Sequence, residues 1–350
     1  MKRYASSFLL AMLIFALAAG SAVAVKKPPV KKVAVKKVAV KKPVTTTHHE
    51  TLGTQQLKGE YGQIGHTYTL GKSYPWNVTL KSAEYTVDTI RFGGRILYPA
   101  RDKKFLVLHY TVHNPQKSQA LMRFDTFHVT AVDANDKNWE GVGELGSEET
   151  GDRIEQQFKP AQKMDVYTAV LVPAAGEIPK IIIKASDNLV IRYNLLGKAK
   201  PLPEPYADTN DKTGATAFTM VPAKPGVFFP VGQYAIKLDG ISYTDQAVGN
   251  YRLSNGGRFL VVNMTAKGLD TVRPVLRFDT FRVKLLDTDG TEVDWKGDLF
   301  KASSDGTIEM NLEQDQEVKF RLLFSVDKGV TPKTLAISQG QSRVYQFEVQ

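Results

Sequence analysis

An internal repeat limits the folds that are open to this chain. Two runs recur at an offset of 154 residues: Phe105-Leu106-Val107 as Phe259-Leu260-Val261, and Arg123-Phe124-Asp125-Thr126-Phe127 as Arg277-Phe278-Asp279-Thr280-Phe281. Two shorter runs recur at offsets of 156 and 153: Trp139-x-Gly141 as Trp295-x-Gly297, and Pro179-Lys180 as Pro332-Lys333. The offset of 156 predicts a turn two residues longer in the second copy. Collinear matches of this kind indicate one domain written twice.

The repeat predicts two domains and the segment between them. Copy one is expected at residues 54–198 and copy two at 225–350. Residues 199–224 are rich in Pro and contain the polar run 208–212, a composition typical of an interdomain linker. Because such a linker couples domains weakly, each copy is expected to unfold by itself.

Inside each copy the apolar residues alternate with a period of two, which is typical of β-strands. The first long strand is expected to face the core with Leu106, Leu108, Tyr110 and Val112, matched by Leu260, Val262, Met264 and Ala266. The next strand is expected to face the core with Phe127, Val129 and Ala131, matched by Phe281, Val283 and Leu285. A later strand is expected to face the core with Tyr167, Ala169 and Leu171, matched by Phe320, Leu322 and Phe324. Short alternating strands separated by Gly, Asn and Asp predict an all-β chain of two tandem immunoglobulin-like antiparallel β-sandwiches.

The order of these features resembles a known group. Copy one runs in the order Phe105 to Asn114, a polar loop, Phe127, Asp133, Trp139, Phe158-Lys159-Pro160-Ala161 and the strand 167–172. Copy two runs in the order Phe259 to Gly268, Phe281, Asp287-Thr288-Asp289-Gly290 and the strand 320–326, with Gly268 where the pattern has Asn. Both copies resemble the exported bacterial immunoglobulin-like domains of unknown function, a group that includes the mycobacterial immunoprotective extracellular protein. The resemblance implies an exported, mostly non-enzymatic module and supplies no functional residue.

The N-terminus predicts export. Lys2 and Arg3 precede an uncharged apolar stretch over residues 4–25, and Ala22-Val23-Ala24 gives the small-x-small pattern that signal peptidase reads. We expect residues 1–24 to be a signal peptide cleaved after Ala24; the alternative is an uncleaved N-terminal anchor. The chain contains no cysteine, so its domains need no disulfide and a lipoprotein anchor is excluded. The expected location is extracytoplasmic, either secreted or in the bacterial cell envelope.

The positive charge is confined to the N-terminal segment. Residues 1–42 carry ten Lys or Arg and no acid, which equals the whole net charge of +10, so residues 43–350 sum to zero. A neutral globular part argues against a general nucleic-acid binder. Residues 25–53 contain a five-residue Lys-Lys repeat that fits neither strand nor helix, so a disordered, extended segment is expected. Its eight lysines either contact an anionic polymer or form a solvated spacer: Lys26, Lys27, Lys31, Lys32, Lys36, Lys37, Lys41 and Lys42.

Several patterns resemble ligand sites, but each has a structural alternative. Asp287-x-Asp289-Gly290 with Asp294 and Asp298 resembles a calcium loop, as Asp133-x-Asn135-Asp136 does less well, yet Asp and Gly also suit a hairpin turn. His109, His113 and His128 form a surface zinc site only if adjacent strands bring them together. The acids Glu148, Glu149 and Asp152 are expected in a solvated loop.

The repeated run that begins at Arg123 and Arg277 has two interpretations. In one it is a structural corner whose Asp caps a turn or pairs with Arg and whose second Phe enters the core. In the other it is a duplicated ligand site suited to bivalent binding. The sequence predicts no catalytic residue, no cofactor and no metal site.

Three functions follow from these patterns. The first is a non-enzymatic tandem β-sandwich interaction or scaffold protein of the cell envelope, with a protein or envelope polymer as partner. The second is a protein tethered to an anionic polymer through its cationic tail, which is compatible with the first. The alternative is a β-sandwich hydrolase with dispersed carboxylates.

Overall fold

Short β-strands joined by turns build the protein, seen in a computed structural model that describes residues 53, 56, 59–185, 187, 189–253 and 256–349. The described residues contain no α-helix, and the chain is an all-β protein. The first half has the strands β1 (Thr67–Leu70), β2 (Trp76–Thr86), β3 (Ile90–Phe92), β4 (Arg95–Leu97), β5 (Lys103–His113), β6 (Ala120–Arg123), β7 (Phe127–Val132), β8 (Asn138–Glu140), β9 (Gly146–Ser147), β10 (Glu155–Phe158), β11 (Lys163–Pro173), β12 (Lys180–Ala185) and β13 (Val190–Asn194).

The second half follows the same order of long and short strands. It has β14 (Met220–Ala223), β15 (Phe229–Val231), β16 (Tyr234–Thr244), β17 (Arg258–Gly268), β18 (Val275–Leu276), β19 (Arg282–Asp287), β20 (Glu292–Trp295), β21 (Phe300–Lys301), β22 (Met310–Asn311), β23 (Glu317–Val326), β24 (Pro332–Ser338) and β25 (Val344–Glu348).

Two sheets face each other in the first half. One has the order β1-β2-β5-β11-β9 and the other the order β13-β12-β7-β8. Val78 and Tyr110 of the first sheet and Val129 and Ile183 of the second line one small internal cavity, so the core lies between the sheets. Each large apolar side chain buried there contributes about 1.5–3 kcal/mol relative to exposure.

In the second half the corresponding sheets form one continuous sheet. Its order is β14-β25-β24-β19-β20-β23-β17-β16-β15. The join is β20, in which Val293 pairs with Leu285 of β19 and Trp295 pairs with Phe324 of β23. The fold of each half is therefore a β-sandwich, and in the second the two layers are also hydrogen-bonded along one side.

The strand pairing recurs at an offset of 154 residues. In the first half Tyr110 pairs with Val166, and Val129 pairs with Ile183. The residues 154 positions later pair in the same way in the second half: Met264 with Phe320, and Val283 with Ile337. The strands β2 and β16 even carry a bulge at the same place in the pairing, after Leu80 and after Leu238.

The inward faces predicted for β5 and β7, and for their equivalents β17 and β19, are confirmed. One of the predicted core residues is less buried than the others. Phe281 is 3 % exposed, whereas Phe127 is only half-buried. The outer sides of β5 and β17 are also covered. Phe105 and Val107 pack against the hairpin of β3 and β4, and Phe259 packs against Phe300 of β21.

The prediction for β11 was wrong by one residue. Its core face carries Val166, Thr168 and Val170, and the equivalent residues in the second half are Phe320, Leu322 and Phe324. Tyr167 lies on the other face of the strand, against the β3–β4 hairpin. The offset of 153 had shifted the alignment by one position, and a one-residue slip exchanges the two faces of a strand. Both faces of β11 are apolar, so alternation alone does not fix its phase.

The predicted equivalence of the two tryptophans was also wrong. The turn from Asp133 to Lys137 and the turn from Asp287 to Thr291 are closed by the same bond and have the same length. Gly141 pairs with Val170 in the first half, and Trp295 pairs with Phe324, the equivalent of Val170, in the second. Trp295 is therefore the equivalent of Gly141 and not of Trp139. A Cβ on Gly141 would lie 3.0 Å from the Val129 carbonyl oxygen, which explains why glycine is suited to that position.

The segment predicted as a linker is packed. Leu202, Tyr206, Ala215 and Ala217 are buried, and the rings of Tyr206 and Phe229 lie 6.5 Å apart at their centroids. Residues His48–Gln350 belong to one compact unit. This packing differs from the weak coupling that the Pro-rich composition predicts, because the apolar residues between the prolines enter the same core.

Two buried cations fix this region. Lys104 is 0 % exposed and donates through Nζ to the carbonyl oxygens of Ala174, Gly176 and Ala215, and it lies 4.4 Å from the Tyr85 ring centroid. Burial lowers the pKa of Lys104 to about 8.

Arg343 makes the second of these links. It is 3 % exposed and donates to the carbonyl oxygens of Phe218, Ala100 and Lys103. It therefore ties the hairpin of β24 and β25 to the first half.

Candidate functional site

The repeated run forms the same tight corner in both halves. In the first, the backbone N–H of Arg123 donates to Thr126 Oγ1 at 2.9 Å, and the N–H of Thr126 donates to the Arg123 carbonyl at 3.0 Å. Arg277 and Thr280 make the same two bonds at 2.8 and 3.0 Å. The side-chain oxygen three residues on therefore closes the turn, and Thr supplies it in both corners.

The charged pair of each corner lies at the surface. Arg123 Nε is 3.3 Å from Asp125 Oδ1, and Arg277 binds both oxygens of Asp279 at 2.7 and 3.0 Å. Such exposed pairs contribute about 0–1 kcal/mol to stability, so their main effect is to orient the side chains.

The first phenylalanine differs between the two corners. Phe124 is half-buried, with the guanidinium of Arg153 3.2 Å above its ring centroid, whereas Phe278 is 55 % exposed. Arg153 in turn pairs with the buried Glu144, whose other oxygen accepts from Arg95 at 2.6 Å.

An open cleft of about 580 Å³ lies beside the first corner. The corner forms one wall, the loop between β1 and β2 forms another, and the end of β12 closes the third side. The residues that line it are Gly71, Ser73, Tyr74, Trp76, Leu121, Arg123, Asp125, Thr126, His128, Ala185 and Asp187. We call it the corner cleft.

The loop at residues 71–75 holds an aromatic ring in the solvent. Tyr74 is 74 % exposed, yet the backbone on both sides of it is fixed. Gly71 has φ +97° and a Cβ there would overlap the Tyr74 carbonyl oxygen, so the turn requires glycine. The N–H of Lys72 donates to the Asp187 carboxylate, and Gln116 Nε2 donates to the Pro75 carbonyl at 3.3 Å.

The second half lacks this loop. Between β15 and β16 the chain turns through Gly232 and Gln233 alone, without an aromatic residue. Gln339 Oε1 accepts from the N–H of Gln233 at 3.0 Å and fills the space next to Gly232, where a Cβ would overlap it. That end of the second half also meets the first, because Arg101 donates to the carbonyls of Gln341 and Gly340 at 2.8 and 3.0 Å. The two corners are alike, but their surroundings are not.

The two Asp-rich loops are hairpin turns. Asp287 Oδ1 accepts from the N–H groups of Asp289 and Thr291 at 2.9 and 2.8 Å. Asp133 Oδ1 accepts in the same way from Asn135 and Lys137. The further bond from Trp139 Nε1 is the first cause of the lowered pKa of Asp133.

The remaining acids of these loops have other partners. Asp294 pairs with Lys296, and Asp298 accepts from the Tyr251 hydroxyl at 2.9 Å. Among the described residues, no group of three His, Asp or Glu is arranged to hold a metal ion.

The three histidines do not meet. His109 lies on β5 between two carboxylates, with Nδ1 2.5 Å from Glu148 and Nε2 3.6 Å from Glu84. His113 Nδ1 is 3.0 Å from Asn77 Nδ2, and His128 lies on β7 in the other sheet, at the corner cleft. The three histidines considered as a conditional zinc site are therefore not brought together, because they belong to two layers.

The predicted signal peptide, its cleavage at Ala24 and the eight lysines lie outside the described residues. In the part of the chain that the structure covers, no helix is long and apolar enough to cross a membrane.

Sequence reasoning missed the loop with Tyr74 and the buried cations. Gly71 and Pro75 mark a turn, but composition does not distinguish an exposed tyrosine from a core one. A comparison of the two copies carries the missing signal: the first half has five residues between β1 and β2 where the second has two between β15 and β16.

Comparisons with known proteins give structural matches only. No protein-family model matches the chain. No curated protein matches it either. An uncharacterised β-sandwich protein from Clostridium difficile is 14 % identical with a TM-score of 0.31, over 40 % of this chain and 99 % of that one. The YjhA protein from Bacillus subtilis is 15 % identical with a TM-score of 0.27, over 36 % and 99 %. The secreted protein MPT63 from Mycobacterium tuberculosis is 17 % identical with a TM-score of 0.28, over 36 % and 97 %. By its own strand order the chain is a β-sandwich protein.

Proposed function

We propose that this chain is an exported protein of the bacterial cell envelope that acts as a non-enzymatic interaction module. Two tandem sandwiches form its folded part, and a cationic segment tethers that part to an anionic polymer. The observation that carries the proposal is the corner cleft, where an ordered loop keeps Tyr74 in the solvent. An exposed aromatic ring on a fixed backbone is a common feature of binding surfaces.

A tandem duplication is supported by sequence and pairing together. The identical runs and the hydrogen-bonded pairs share the offset of 154 residues. The two halves have then diverged at one end. The end of the second half that carries its corner is bonded to the first half through Arg101 and the carbonyls of Gly340 and Gln341. The corner of the first half is the one that we propose binds a partner.

The charge distribution supports the tether. All of the net charge lies within residues 1–42, so the folded part neither attracts nor repels a polyanion by its net charge. Attraction to an anionic polymer then depends on the eight lysines. Export itself is supported by the signal-like N-terminus.

The test is deletion of residues 25–44. The full chain without its predicted signal peptide is expected to be retained on anionic liposomes or on a teichoic-acid-like polymer, and the deletion to abolish that retention. If all eight lysines contacted duplex DNA phosphates, the slope of log affinity against log salt would approach about −7. If fewer of them contact phosphates at one time, the slope is correspondingly shallower.

A scrambled segment of unchanged composition is the matched control. It is expected to bind as the native one does, because the five-residue period presents no ordered face. Retention that survives the deletion would contradict the tether and leave a spacer role.

The carboxylates of the cleft do not favour a hydrolase. Asp125 pairs with Arg123, and Asp187 accepts from the N–H groups of Lys72 and Leu189. Both carboxylates therefore serve as fixed acceptors, whereas glycoside hydrolysis needs one of the pair to hold a proton for the leaving group.

A further inference from the structure

We infer that the corner cleft binds an uncharged carbohydrate chain. The inference rests on the proposed interaction role of this cleft and adds the chemistry of the ligand. It is carried by three features: the exposed ring, the mixture of polar groups around it, and the absence of the loop that carries the ring from the second half.

Tyr74 offers a flat surface with one polar end. A phenol ring has an apolar face and a hydroxyl at its edge. A sugar ring in the chair form likewise has C–H groups on its faces and hydroxyls around its rim. Stacking the two rings removes apolar surface from water and leaves the hydroxyls free to bond. Because the loop is held by Asp187 and Gln116, little backbone freedom is lost on binding.

The side chains around the ring provide donors and acceptors together. Arg123 donates, Asp125 and Asp187 accept, and His128 does either according to its tautomer. Sugar hydroxyls both donate and accept, so a mixed set suits them. With His neutral the charged groups sum to −1, which opposes a polyanion. The lysine segment and the cleft therefore select different ligands.

The shape of the cleft fits a chain. Its volume of about 580 Å³ lies within the ~300–1,000 Å³ of small-ligand sites, and it opens onto the surface. An open site lets a polymer enter at any point along its length and does not require a free end.

The second half is an internal comparison. It keeps the corner with Arg277, Asp279 and Thr280 but has a two-residue turn where the first half has Tyr74, and Gln339 fills the gap. The corner alone is therefore the structural part of the repeat, and the loop at residues 71–75 is the addition that makes a site.

The test uses the full chain without its predicted signal peptide, in 1 M NaCl, where charges are screened beyond about 3 Å. The probes are a β-1,4-linked N-acetylglucosamine tetramer, cellotetraose, and peptidoglycan sacculi stripped of anionic polymer. Calorimetric titration and sedimentation with sacculi are expected to show binding that Tyr74→Ala weakens at least tenfold. Phe278→Ala, which removes an exposed aromatic from the other corner, is expected to leave the affinity unchanged.

Two outcomes would overturn the inference, and they differ in what they imply. Binding of the sacculi through Tyr74 only at low salt would mean that charge, and not an uncharged sugar, is recognised. In that case, or if the cleft binds a protein or a polyanion instead, it is an interaction site for another ligand class. If Tyr74→Ala and Asp125→Asn change the binding of no probe, the interaction role of the cleft fails as well. Circular dichroism of each variant separates loss of binding from loss of fold.

Discussion

Phe127 and Phe281 hold equivalent places in the repeat but not equivalent burial. Phe281 stacks on Phe320 at 6.1 Å and meets Tyr234 edge-on at 5.4 Å, while Phe127 is half-buried. We expect Phe281→Ala to lower the free energy of unfolding by about 3–5 kcal/mol and Phe127→Ala by clearly less. Urea denaturation of the two variants measures this difference. Equal losses would mean that the two corners are packed alike.

Lys104 makes the stability depend on alkaline pH. Burial lowers its folded pKa to about 8, whereas the unfolded lysine titrates near 10.4. Between these values the unfolded chain binds more protons, so the free energy of unfolding rises with pH. Below about pH 8 both states are protonated, and this contribution is constant.

The comparison with Lys104→Met isolates this effect. From pH 8 to 10 the stability of the wild-type protein relative to the variant is expected to increase, by up to about 3 kcal/mol over the full interval. Buried tyrosines of the other half, such as Tyr234 with a pKa raised to about 12, act in both proteins and cancel. A difference that stays flat across this range would show that the lysine is not desolvated.

Neither of these properties could be predicted from the residue type alone. A lysine at the start of an apolar strand is expected at the surface, and its three carbonyl acceptors come from positions 70 to 111 residues away. Alternation predicted that Phe127 and Phe281 face inward, but it does not report how completely the neighbouring elements cover them.

Among the elements, the ends of β5 and β17 have the same backbone arrangement but different residues at the equivalent position, Asn114 and Gly268. The N–H of Asn114 donates to the Gln162 carbonyl, and the N–H of Gly268 donates in the same way to Gln316. In the first half the Asn114 amide fills the space and donates to the carbonyls of Ser118, Phe158 and Lys159. In the second the backbone of Glu313 has moved in, and a Cβ on Gly268 would overlap its carbonyl oxygen.

Exchanging these residues is therefore expected to fail in both directions. Asn114→Gly leaves buried carbonyls unbonded and should cost about 1–3 kcal/mol. Gly268→Asn is expected to destabilise the protein as well, although it restores the residue of the repeat pattern. Thermal unfolding followed by circular dichroism tests both, and a stabilised Gly268→Asn variant would refute this account.

At this scale the sequence predicted the long strands and their order, because their apolar alternation is sustained over many residues. It failed for β11, where both faces are apolar, and at β20, where matching tryptophans suggested a longer turn. In both places a local identity was a weaker guide than the pairing with neighbouring strands. The corner cleft was beyond reach, because it depends on a difference in loop length between copies that are otherwise aligned.

For the whole molecule, the packed segment between the halves predicts cooperative unfolding. Arg343 reaches three carbonyls of the first half and of the connecting segment, and Tyr206 packs beside Phe229. We expect a single calorimetric transition, and we expect Phe281→Ala to lower its midpoint for both halves together.

Arg343→Met is expected to divide that transition into two. Arg321→Met is the matched control, since Arg321 donates to Lys301, Ser304 and Asp305 within its own half. It should lower the midpoint without dividing the transition. Two transitions in the wild-type protein would instead restore independent domains.

The position of β25 in the sheet determines when the second half can complete its fold during synthesis. Its residues Val344–Glu348 leave the ribosome after those of every other described strand, yet the strand lies between β14 and β24 and follows directly on Arg343. The described strands of the first half, β1 to β13, have emerged once Asn194 has, about 150 residues before β25 of the second half. Until then the second half keeps an unpaired edge and an open core, and the bonds that Arg343 donates to Ala100, Lys103 and Phe218 are missing. The second half thus stays incomplete while the chain from Asn194 to β25 is being synthesised.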